Sequence, residues 1–278
     1  MTNRFFVDRT VSRWDAEGVL LVGDEAHHFC KVMRGRVGDS LVLFDGTEVY
    51  AHGIVESIQR EGVRVRVTET FVDDVESPLR LTVAAALPKG DRQRFLIEKL
   101  AELGVARFIP VQMERSVARA NDAVIQRLQR YVVEAAKQCG RNVLMEITDE
   151  MPMNTLSDCF ATETTKLLLH PVTLGDVGQT TARQILTTLL KPVEIPLSGF
   201  IPPDNGDPKR ARRLCAGGAD RLLGSNIALL VGPEGSFTDQ EVAVALQRGF
   251  KPLDLGKRIL RTETACIAAA ALFLTVMG

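Results

Sequence analysis

The sequence predicts an α/β protein with a small β-barrel at its N-terminus and a larger C-terminal domain built on a mostly parallel sheet. Residues 1–72 contain short alternating or apolar runs separated by glycine and aspartate turns, a pattern typical of small β domains. From Leu81 onward, strand-length apolar runs alternate with helix-length segments, which indicates an α/β sheet. With 278 residues, of which 45% are hydrophobic, the chain is long enough for two domains with sizeable cores.

The N-terminal domain is predicted to be mainly β-structure. Its strands are expected at Arg4–Val7, Val19–Val22, Ser40–Phe44, Ala51–Ile58 and Gly62–Thr68, with one helix near Glu25–Arg34. Residues 73–78 are polar and end in Pro78, so they form the predicted linker to a second domain that spans residues 79–278.

The second domain is predicted to alternate strands and helices. The elements before the C-terminal region are Leu81–Leu87, Asp91–Leu103, Phe108–Val111, Asp122–Cys139 and Leu167–His170. The segment 191–210 carries five of the chain's prolines and is interpreted as a tolerated surface insertion with no functional account.

Two strand-loop-helix units end the chain. They comprise the strand Ile227–Val231, the loop Gly232-Pro233-Glu234-Gly235, a helix capped by Thr238 or Asp239 that ends at Gly249, the strand Pro252–Leu255 and the helix Thr264–Met277. The glycines and the proline force the first loop to turn and leave its backbone N–H groups accessible. Because open α/β sheets bind cofactors at the carboxyl ends of neighbouring strands, we expect a small-molecule site here.

Composition argues against several classes of protein. Met1–Thr10 has three charged residues and no apolar signal-peptide core, and the longest apolar run, Ala265–Met277, is too short to span a bilayer. We therefore expect a cytoplasmic protein without membrane contact. Five cysteines without a C-x-x-C pair, and four histidines without ligand spacing, predict neither a disulfide framework nor a metal site.

The basic residues are unevenly distributed. The net charge is −1, which by itself argues against a nucleic-acid partner. Between Arg80 and Arg141, however, there are twelve basic residues against six acidic ones, and the first forty residues are basic in patches. A single charge of this kind is usually just solvated, but the segment taken together is predicted to face phosphates.

Two C-terminal motifs resemble a known family. G-P-E-G-x-F…E, starting at Gly232, and L-G-x-R-I-L-R-x-E-T-A, starting at Leu255, are similar to the signature of the ribosomal RNA small subunit methyltransferase E family. This family belongs to the SPOUT class of S-adenosylmethionine-dependent RNA methyltransferases. Further matches follow in order at Arg4-Phe5-Phe6-Val7, His28, Asp45-Gly46, Lys89, Glu102-Leu103-Gly104-Val105, Arg115-Ser116, and Gln138 with Arg141. Ser236 stands where the family usually has a second glycine.

The resemblance implies a fold and a reaction that sequence rules alone do not predict. Those rules favour an ordinary doubly wound sheet, because threaded backbones are rare. The family implies instead a C-terminal SPOUT trefoil knot, a PUA-like N-terminal domain that holds structured RNA, and a homodimer. It also implies S-adenosylmethionine as cofactor and methylation of N3 of a uridine in 16S ribosomal RNA of the small ribosomal subunit.

The resemblance places the cofactor among three loops. The residues expected to bind S-adenosylmethionine are Leu169, His170, Leu230, Val231, Gly232, Pro233, Gly235, Leu255, Gly256, Ile259 and Leu260. Glycines let backbone amides and carbonyls approach the adenine edge, while Ile259 and Leu260 supply apolar cover. His170 is equally well explained as an ordinary histidine at a strand end.

Uracil N3 carries a proton, so its methylation needs a base and a cation that stabilises the developing negative charge. Arg261 is the first choice for the cation, and Glu234 and Glu263 are candidate bases. Each has an alternative role. Arg261 is also explained by a structural salt bridge, Glu234 by holding its loop in place, and Glu263 by the preference for an acidic residue at the start of a helix. Water takes the proton if positioning does most of the work.

The candidate RNA contacts are all basic. They are Arg4, Arg9, Lys31, Arg34 and Arg36 in the first domain, and Lys89, Arg92, Arg94, Arg115 and Arg141 in the second. An ordinary surface role is the alternative for each of them.

Three other interpretations stay open. A SPOUT enzyme that methylates a ribose 2′-oxygen usually carries Ser-Leu-Asn where this chain has Arg261-Thr262-Glu263-Thr264. A non-enzymatic RNA-binding or assembly factor needs only the basic surfaces and has no affinity for S-adenosylmethionine. A phosphate-binding nucleotide loop is disfavoured because the lysine and Ser/Thr of a P-loop are absent.

Overall fold

The computed structural model describes residues 3–15, 18–72, 76–170, 180–181 and 226–277. The chain divides into two compact units, one formed by residues up to Glu76 together with 129–145, and the other by Ser77–Leu128 and residues from Glu146 onward. The sequence places residues 129–145 in the second domain, whereas the structure groups them with the first unit. The insertion predicted at 191–210, and residues 73–75 of the predicted linker, lie outside the described residues.

The first unit is built on a six-stranded mixed sheet with the strand order β1-β4-β5-β6-β3-β2. The strands are β1 (Arg4–Phe6), β2 (Arg13–Asp15), β3 (Gly18–Leu21), β4 (Ser40–Phe44), β5 (Val49–Ile58) and β6 (Val63–Val72). The pair β1–β4 is parallel and the other neighbours are antiparallel. Among the described residues the edge strands β1 and β2 do not pair with each other, so the predicted barrel is a half-barrel.

One face of this sheet packs the core of the first unit. Phe5, Leu43 and Val55 from the sheet are buried against Phe29, which lies in the helical segment between β3 and β4. That segment consists of α1 (Gly23–His27) followed by a π-helical turn (His28–Val32), where the sequence predicts one continuous helix.

Residues after 139 complete the first unit through polar contacts. The guanidinium of Arg141 is 6% exposed and donates to both carboxylate oxygens of Glu76, at 2.7 and 2.6 Å. Arg4 Nη2 donates to Asn142 Oδ1 at 2.5 Å, and Gly46 forms a parallel β-bridge with Val143. These contacts explain why residues 140–145 belong with the half-barrel.

The second unit is built on an eight-stranded sheet in which every described pair of neighbours is parallel. Its order is β10-β8-β7-β13-β11-β14-β12, with β9 pairing β8. The strands are β7 (Arg80–Ala85), β8 (Arg107–Gln112), β9 (Glu146–Ile147), β10 (Met151–Pro152), β11 (Thr165–Leu169), β12 (Thr180–Thr181), β13 (Asn226–Val231) and β14 (Lys251–Asp254).

Helices alternate with these strands along the chain. The described helices are α2 (Arg92–Leu103), α3 (Asp122–Cys139, whose last eleven residues belong to the first unit), α4 (Asp239–Gln247) and α5 (Thr262–Met277), with a 3-10 helix at Met153–Cys159. Helix α4 packs Val242 and Ala245 against Leu168 and Leu230 of the sheet. Thr238 forms a capping box with Glu241, which confirms the predicted start of this helix.

The strand order brings the predicted loops together. Strand β11 lies between β13 and β14, and all three run in the same direction. Their carboxyl ends therefore meet at one edge of the sheet, where cofactors bind in open α/β folds. The trefoil knot stays a prediction, because the described residues do not test it. Within those residues, no helix is long and apolar enough to cross a bilayer.

Candidate cofactor site

A cavity of about 360 Å³ opens at the carboxyl ends of β11, β13 and β14, beside the start of α5. The predicted cofactor residues that line it are Leu169, His170, Val231, Gly232, Pro233, Gly235, Leu255, Gly256, Ile259 and Leu260. Leu230 is the exception, because its side chain is fully buried in the core beneath α4. The volume falls within the range of roughly 300–1,000 Å³ that is usual for small-molecule sites.

Several lining residues were not predicted. They are Ser236, Phe237, Leu253, Asp254, Arg258, Thr262 and Ala265. Most of them lie inside or next to the two motifs, so the motifs mark the segments that line the cavity. The sequence does not reveal which side chains of those segments face the cavity, because the loops lack a regular period.

Phe237 anchors the loop after β13. Its side chain is 6% exposed in the core beneath α4, and its ring meets the ring of His170 edge-on with centroids 5.8 Å apart. Ser236 donates its backbone N–H to Pro233 O at 2.9 Å and has a φ of 62°, a conformation that suits glycine better. The glycine usual in the family at this position fits that backbone.

Three side chains from other elements hold the same loop. Thr262 Oγ1, on α5, donates to Gly232 O at 2.9 Å, and Arg115 Nη1 donates to Gly235 O at 2.8 Å. Arg92, at the start of α2, forms an ion pair with Glu234. The loop in the wall of the cavity is thus held from the start of α2, from the segment after β8 and from α5.

The three candidate catalytic residues differ in their surroundings. Glu234 lines the cavity with a side chain that is 35% exposed, whereas the Glu263 side chain is only 6% exposed. Glu263 lies 3.8 Å from Arg92, and its Oε2 has no hydrogen-bond partner among the described residues. Arg261 is exposed directly before α5 and has no ion pair in the described part of the chain.

The pKa of His170 lies below its ordinary value of 6.5 because burial disfavours the charged ring, and the carboxylate of Asp239 opposes this only in part. The unfolded chain therefore binds this proton more readily than the folded protein. The stability contributed by neutral His170 is fully present above the unfolded pKa and is lost as the pH falls through the folded pKa.

We therefore expect the free energy of unfolding of the second unit to decrease as the pH is lowered below about 6.5. The variant His170→Asn should weaken this dependence. Thermal unfolding measured across the acid range checks the prediction, with His52→Asn as the control for general histidine protonation. A His170→Asn profile parallel to that of the parent protein would contradict it.

Many of the predicted RNA contacts form hydrogen bonds or ion pairs with other residues of the protein. Those with partners in their own unit are Arg4 with Asn142, Arg9 with Asp45, Arg92 with Glu234, Arg94 with Glu98, Arg115 with Gly235 and Arg141 with Glu76. The pairs of Arg94 and Arg9 are partly exposed, whereas the Arg141 side chain is buried, so a phosphate can bind it only if its ion pair with Glu76 opens.

The remaining predicted RNA contacts are exposed cations. Lys31, Arg34 and Arg36 lie in one segment of the first unit, which we call the basic segment, and Lys89 follows β7 in the second unit. None of them forms an ion pair among the described residues. Across all residues that the structure describes, no cluster of His, Cys, Asp and Glu has the arrangement of a metal site.

Comparison with family models identifies the class of protein. Residues 75–191 and 207–274 match the model of an RNA methyltransferase domain, and residues 21–68 match that of an RNA methyltransferase PUA domain. The first match passes over residues 192–206, which lie inside the predicted insertion. The fold and these matches define an RNA methyltransferase with an N-terminal PUA domain.

Relatives identify the family within that class. The chain is 27% identical to ribosomal RNA small subunit methyltransferase E of Bacillus subtilis, with 96% of this chain and 93% of the relative covered. It is 30% identical to the protein of the same name from Mycobacterium bovis, over 95% of this chain and 88% of the relative. It also resembles the crystal structure of a ribosomal RNA small subunit methyltransferase E from Neisseria gonorrhoeae bound to S-adenosyl methionine, with a TM-score of 0.74, 28% identity and coverage of 100% and 99% of the two chains. The chain belongs to the ribosomal RNA small subunit methyltransferase E family.

Proposed function

We propose that this protein transfers a methyl group from S-adenosylmethionine to N3 of a uridine in 16S ribosomal RNA of the small ribosomal subunit. The observation that carries the proposal is the convergence of the predicted cofactor residues on one cavity, in a chain of this family. The relative from Neisseria gonorrhoeae, which was crystallised with S-adenosyl methionine, supports the choice of cofactor.

The residues of the cavity fit S-adenosylmethionine. Gly232 and Gly256 expose backbone groups to an adenine edge, while Leu255 and Leu260 offer apolar surface. When bound, the cofactor supplies a reactive methyl group on a positively charged sulfur. His170, whose pKa is lowered by burial, would present a neutral ring to a cofactor held in this cavity, and the carboxylate of Glu234 would add a negative charge to the wall.

Loss of the N3 proton is assigned to the carboxylates of this wall. Glu234 lines the cavity directly and is the better placed of the two candidate bases. Glu263 lies in the first turn of α5, where the helix N-terminus stabilises its charge, and Arg92 contacts both carboxylates. Arg261 is an exposed cation that suits a uracil carbonyl oxygen or a neighbouring phosphate.

RNA binding is assigned to the exposed cations of both units. The basic segment of the PUA domain and Lys89 offer positive charge without competing ion pairs in the described residues. A homodimer belongs to the same proposal. It follows from the resemblance to the family, and in such a dimer a second copy of the chain would cover Ile259, which is 95% exposed at the edge of the cavity.

Two alternatives predict different products. A ribose 2′-O-methyltransferase would use the same cavity but modify an oxygen of the sugar. A non-enzymatic assembly factor would bind RNA through the basic segment without affinity for S-adenosylmethionine. The sequence Arg261-Thr262-Glu263-Thr264 at the start of α5 favours base methylation over the first alternative.

Methyl transfer from radiolabelled S-adenosylmethionine to small ribosomal subunits tests the proposal. The subunits are taken from cells that lack this gene, and the product is analysed by nucleoside mass spectrometry. We expect 3-methyluridine. A ribose-methylated nucleoside would replace the proposal with the first alternative, and RNA binding without transfer would replace it with the second.

A further inference from the structure

One arginine of the second unit lies between two carboxylates beside the cofactor cavity. Nη1 of Arg92, at the start of α2, forms an ion pair with Glu234, and the same nitrogen is 3.8 Å from Oε1 of Glu263. The side chains of Arg92 and Glu234 are 33% and 35% exposed, so neither is fixed in the core. We call Arg92, Glu234 and Glu263 the arginine–glutamate cluster.

The two carboxylates of this cluster are unequally satisfied. Glu234 lines the cavity and has the ion pair with Arg92. The Glu263 side chain is 6% exposed, and its Oε2 is buried without a hydrogen-bond partner among the described residues. The first turn of α5 stabilises this charge only in part, because a buried carboxylate needs hydrogen-bond donors of its own. Glu263 is therefore an acceptor that Arg92 does not fully use in this arrangement.

A small movement of Arg92 changes its partner. A shift of about 1 Å would bring Nη1 within hydrogen-bond distance of Glu263 Oε1. The guanidinium is a planar fork with five N–H donors, and it stays charged throughout the pH range of folded proteins. It can therefore donate to one carboxylate while it leaves the other.

The charge on Glu234 decides which partner Arg92 prefers. While Glu234 is a carboxylate, its ion pair with Arg92 orients it at the wall of the cavity. Once Glu234 is protonated, it attracts the guanidinium less strongly. Glu263 then becomes the stronger partner, because it keeps its charge and lies where burial strengthens the attraction between charges.

We propose that Arg92 is a positioning residue for proton removal, which orients Glu234 to accept the N3 proton and transfers its ion pair to Glu263 once Glu234 is protonated. The inference rests on the proposed function, because it takes uracil N3 as the atom that loses the proton. In this step the N3–H bond breaks, an O–H bond forms on Glu234, and the electron pair stays on N3, which becomes the nucleophile. Glu234 then releases the proton to water, and Arg92 returns to it.

A crystal structure of the variant Glu234→Gln tests the exchange of partners without any catalysis. Glutamine has nearly the size of glutamate but no charge, so it represents protonated Glu234. We expect a guanidinium nitrogen of Arg92 within about 3 Å of a carboxylate oxygen of Glu263. A separation that stays at 3.8 Å would overturn the exchange.

Methyl-transfer kinetics together with RNA binding test the positioning role. In Arg92→Gln we expect kcat to fall about 100-fold, while the KM for RNA and the slope of RNA affinity against salt stay unchanged. Glu263→Gln should lower kcat about ten-fold and leave RNA affinity unchanged. Arg92→Lys, which keeps the charge but not the planar fork, should recover part of the rate lost in Arg92→Gln.

Arg107→Gln is the matched control. Arg107 is 34% exposed and pairs with Glu146, but it begins β8 and so lies at the amino ends of the strands, away from the cavity. This variant should keep the kcat of the parent protein. Thermal unfolding verifies that each variant is folded.

The outcomes separate the positioning role from the RNA contact that the sequence predicts for Arg92. Unchanged kcat in Arg92→Gln, with a parent protein that is active, would overturn the positioning role alone. A raised KM for RNA with a smaller salt slope would overturn it in favour of a phosphate contact. A parent protein that transfers no methyl group would overturn the proposed function as well.

Discussion

Replacing Arg141 with alanine is expected to lower the free energy of unfolding of the first unit by about 3 kcal/mol, because removing one partner of a buried ion pair leaves the other charge uncompensated. The Arg141 side chain is 6% exposed and makes two charge-assisted hydrogen bonds to Glu76. The measurement is chemical denaturation followed by the fluorescence of Trp14, the only tryptophan of the chain, which lies in β2 of this unit.

The matched control is Arg66→Ala. Arg66 pairs with Glu56 in the same unit, but the two side chains are 52% and 44% exposed, so the expected loss is below about 1 kcal/mol. Arg141 was predicted to bind RNA. If Arg141→Ala weakens RNA binding but leaves the free energy of unfolding unchanged, the structural role is wrong and Arg141 is an RNA contact instead.

The ion pair of Arg141 with Glu76 shows what a count of charges cannot predict. The excess of basic over acidic residues between Arg80 and Arg141 takes account only of acidic residues within that stretch. Several partners lie far away in the sequence: Glu76 for Arg141, Glu25 for Lys137 and Glu234 for Arg92. Only the packed chain brings these carboxylates to their cations, so the surface available to phosphates is smaller than the sequence indicates.

Regular elements were predicted well where the local signal is strong. The predicted bounds of α3, Asp122–Cys139, agree with the structure, and the strand predicted at Ile227–Val231 begins one residue earlier. The predicted final helix, Thr264–Met277, begins two residues earlier at Thr262, which brings Glu263 into its first turn. The strands β2, β9 and β10, with two or three residues each, are too short for a periodic pattern and were missed.

The division of α3 between two units was also beyond the sequence. Its pattern is that of one amphipathic helix, and an uninterrupted period contains no sign of a boundary. The boundary follows from contacts such as Lys137 with Glu25 and Arg141 with Glu76, which form only in the folded first unit. The loops that line the cavity were predictable because glycine, proline and motif spacing mark them directly in the sequence.

Gly232→Ala is expected to weaken binding of S-adenosylmethionine at least ten-fold. A Cβ on Gly232 would lie 2.9 Å from two ring carbons of Phe237, closer than packed atoms approach. Phe237 has little freedom to move, since it is buried in the core and its ring contacts His170. The loop or the ring must therefore shift at the wall of the cavity, and overpacking of this kind also costs about 1–3 kcal/mol of stability.

Isothermal titration calorimetry with S-adenosylmethionine measures the effect. Gly235→Ala is the comparison in the same loop and should weaken binding less, because its Cβ would lie 3.2 Å from Cβ and Cδ of Arg115, a looser approach than the 2.9 Å at Gly232. Phe237→Leu introduced into Gly232→Ala should restore part of the affinity by making room for the methyl group. Equal affinity of Gly232→Ala and the parent protein would mean that Gly232 is only a turn residue and that the wall of the cavity does not depend on its contact with Phe237.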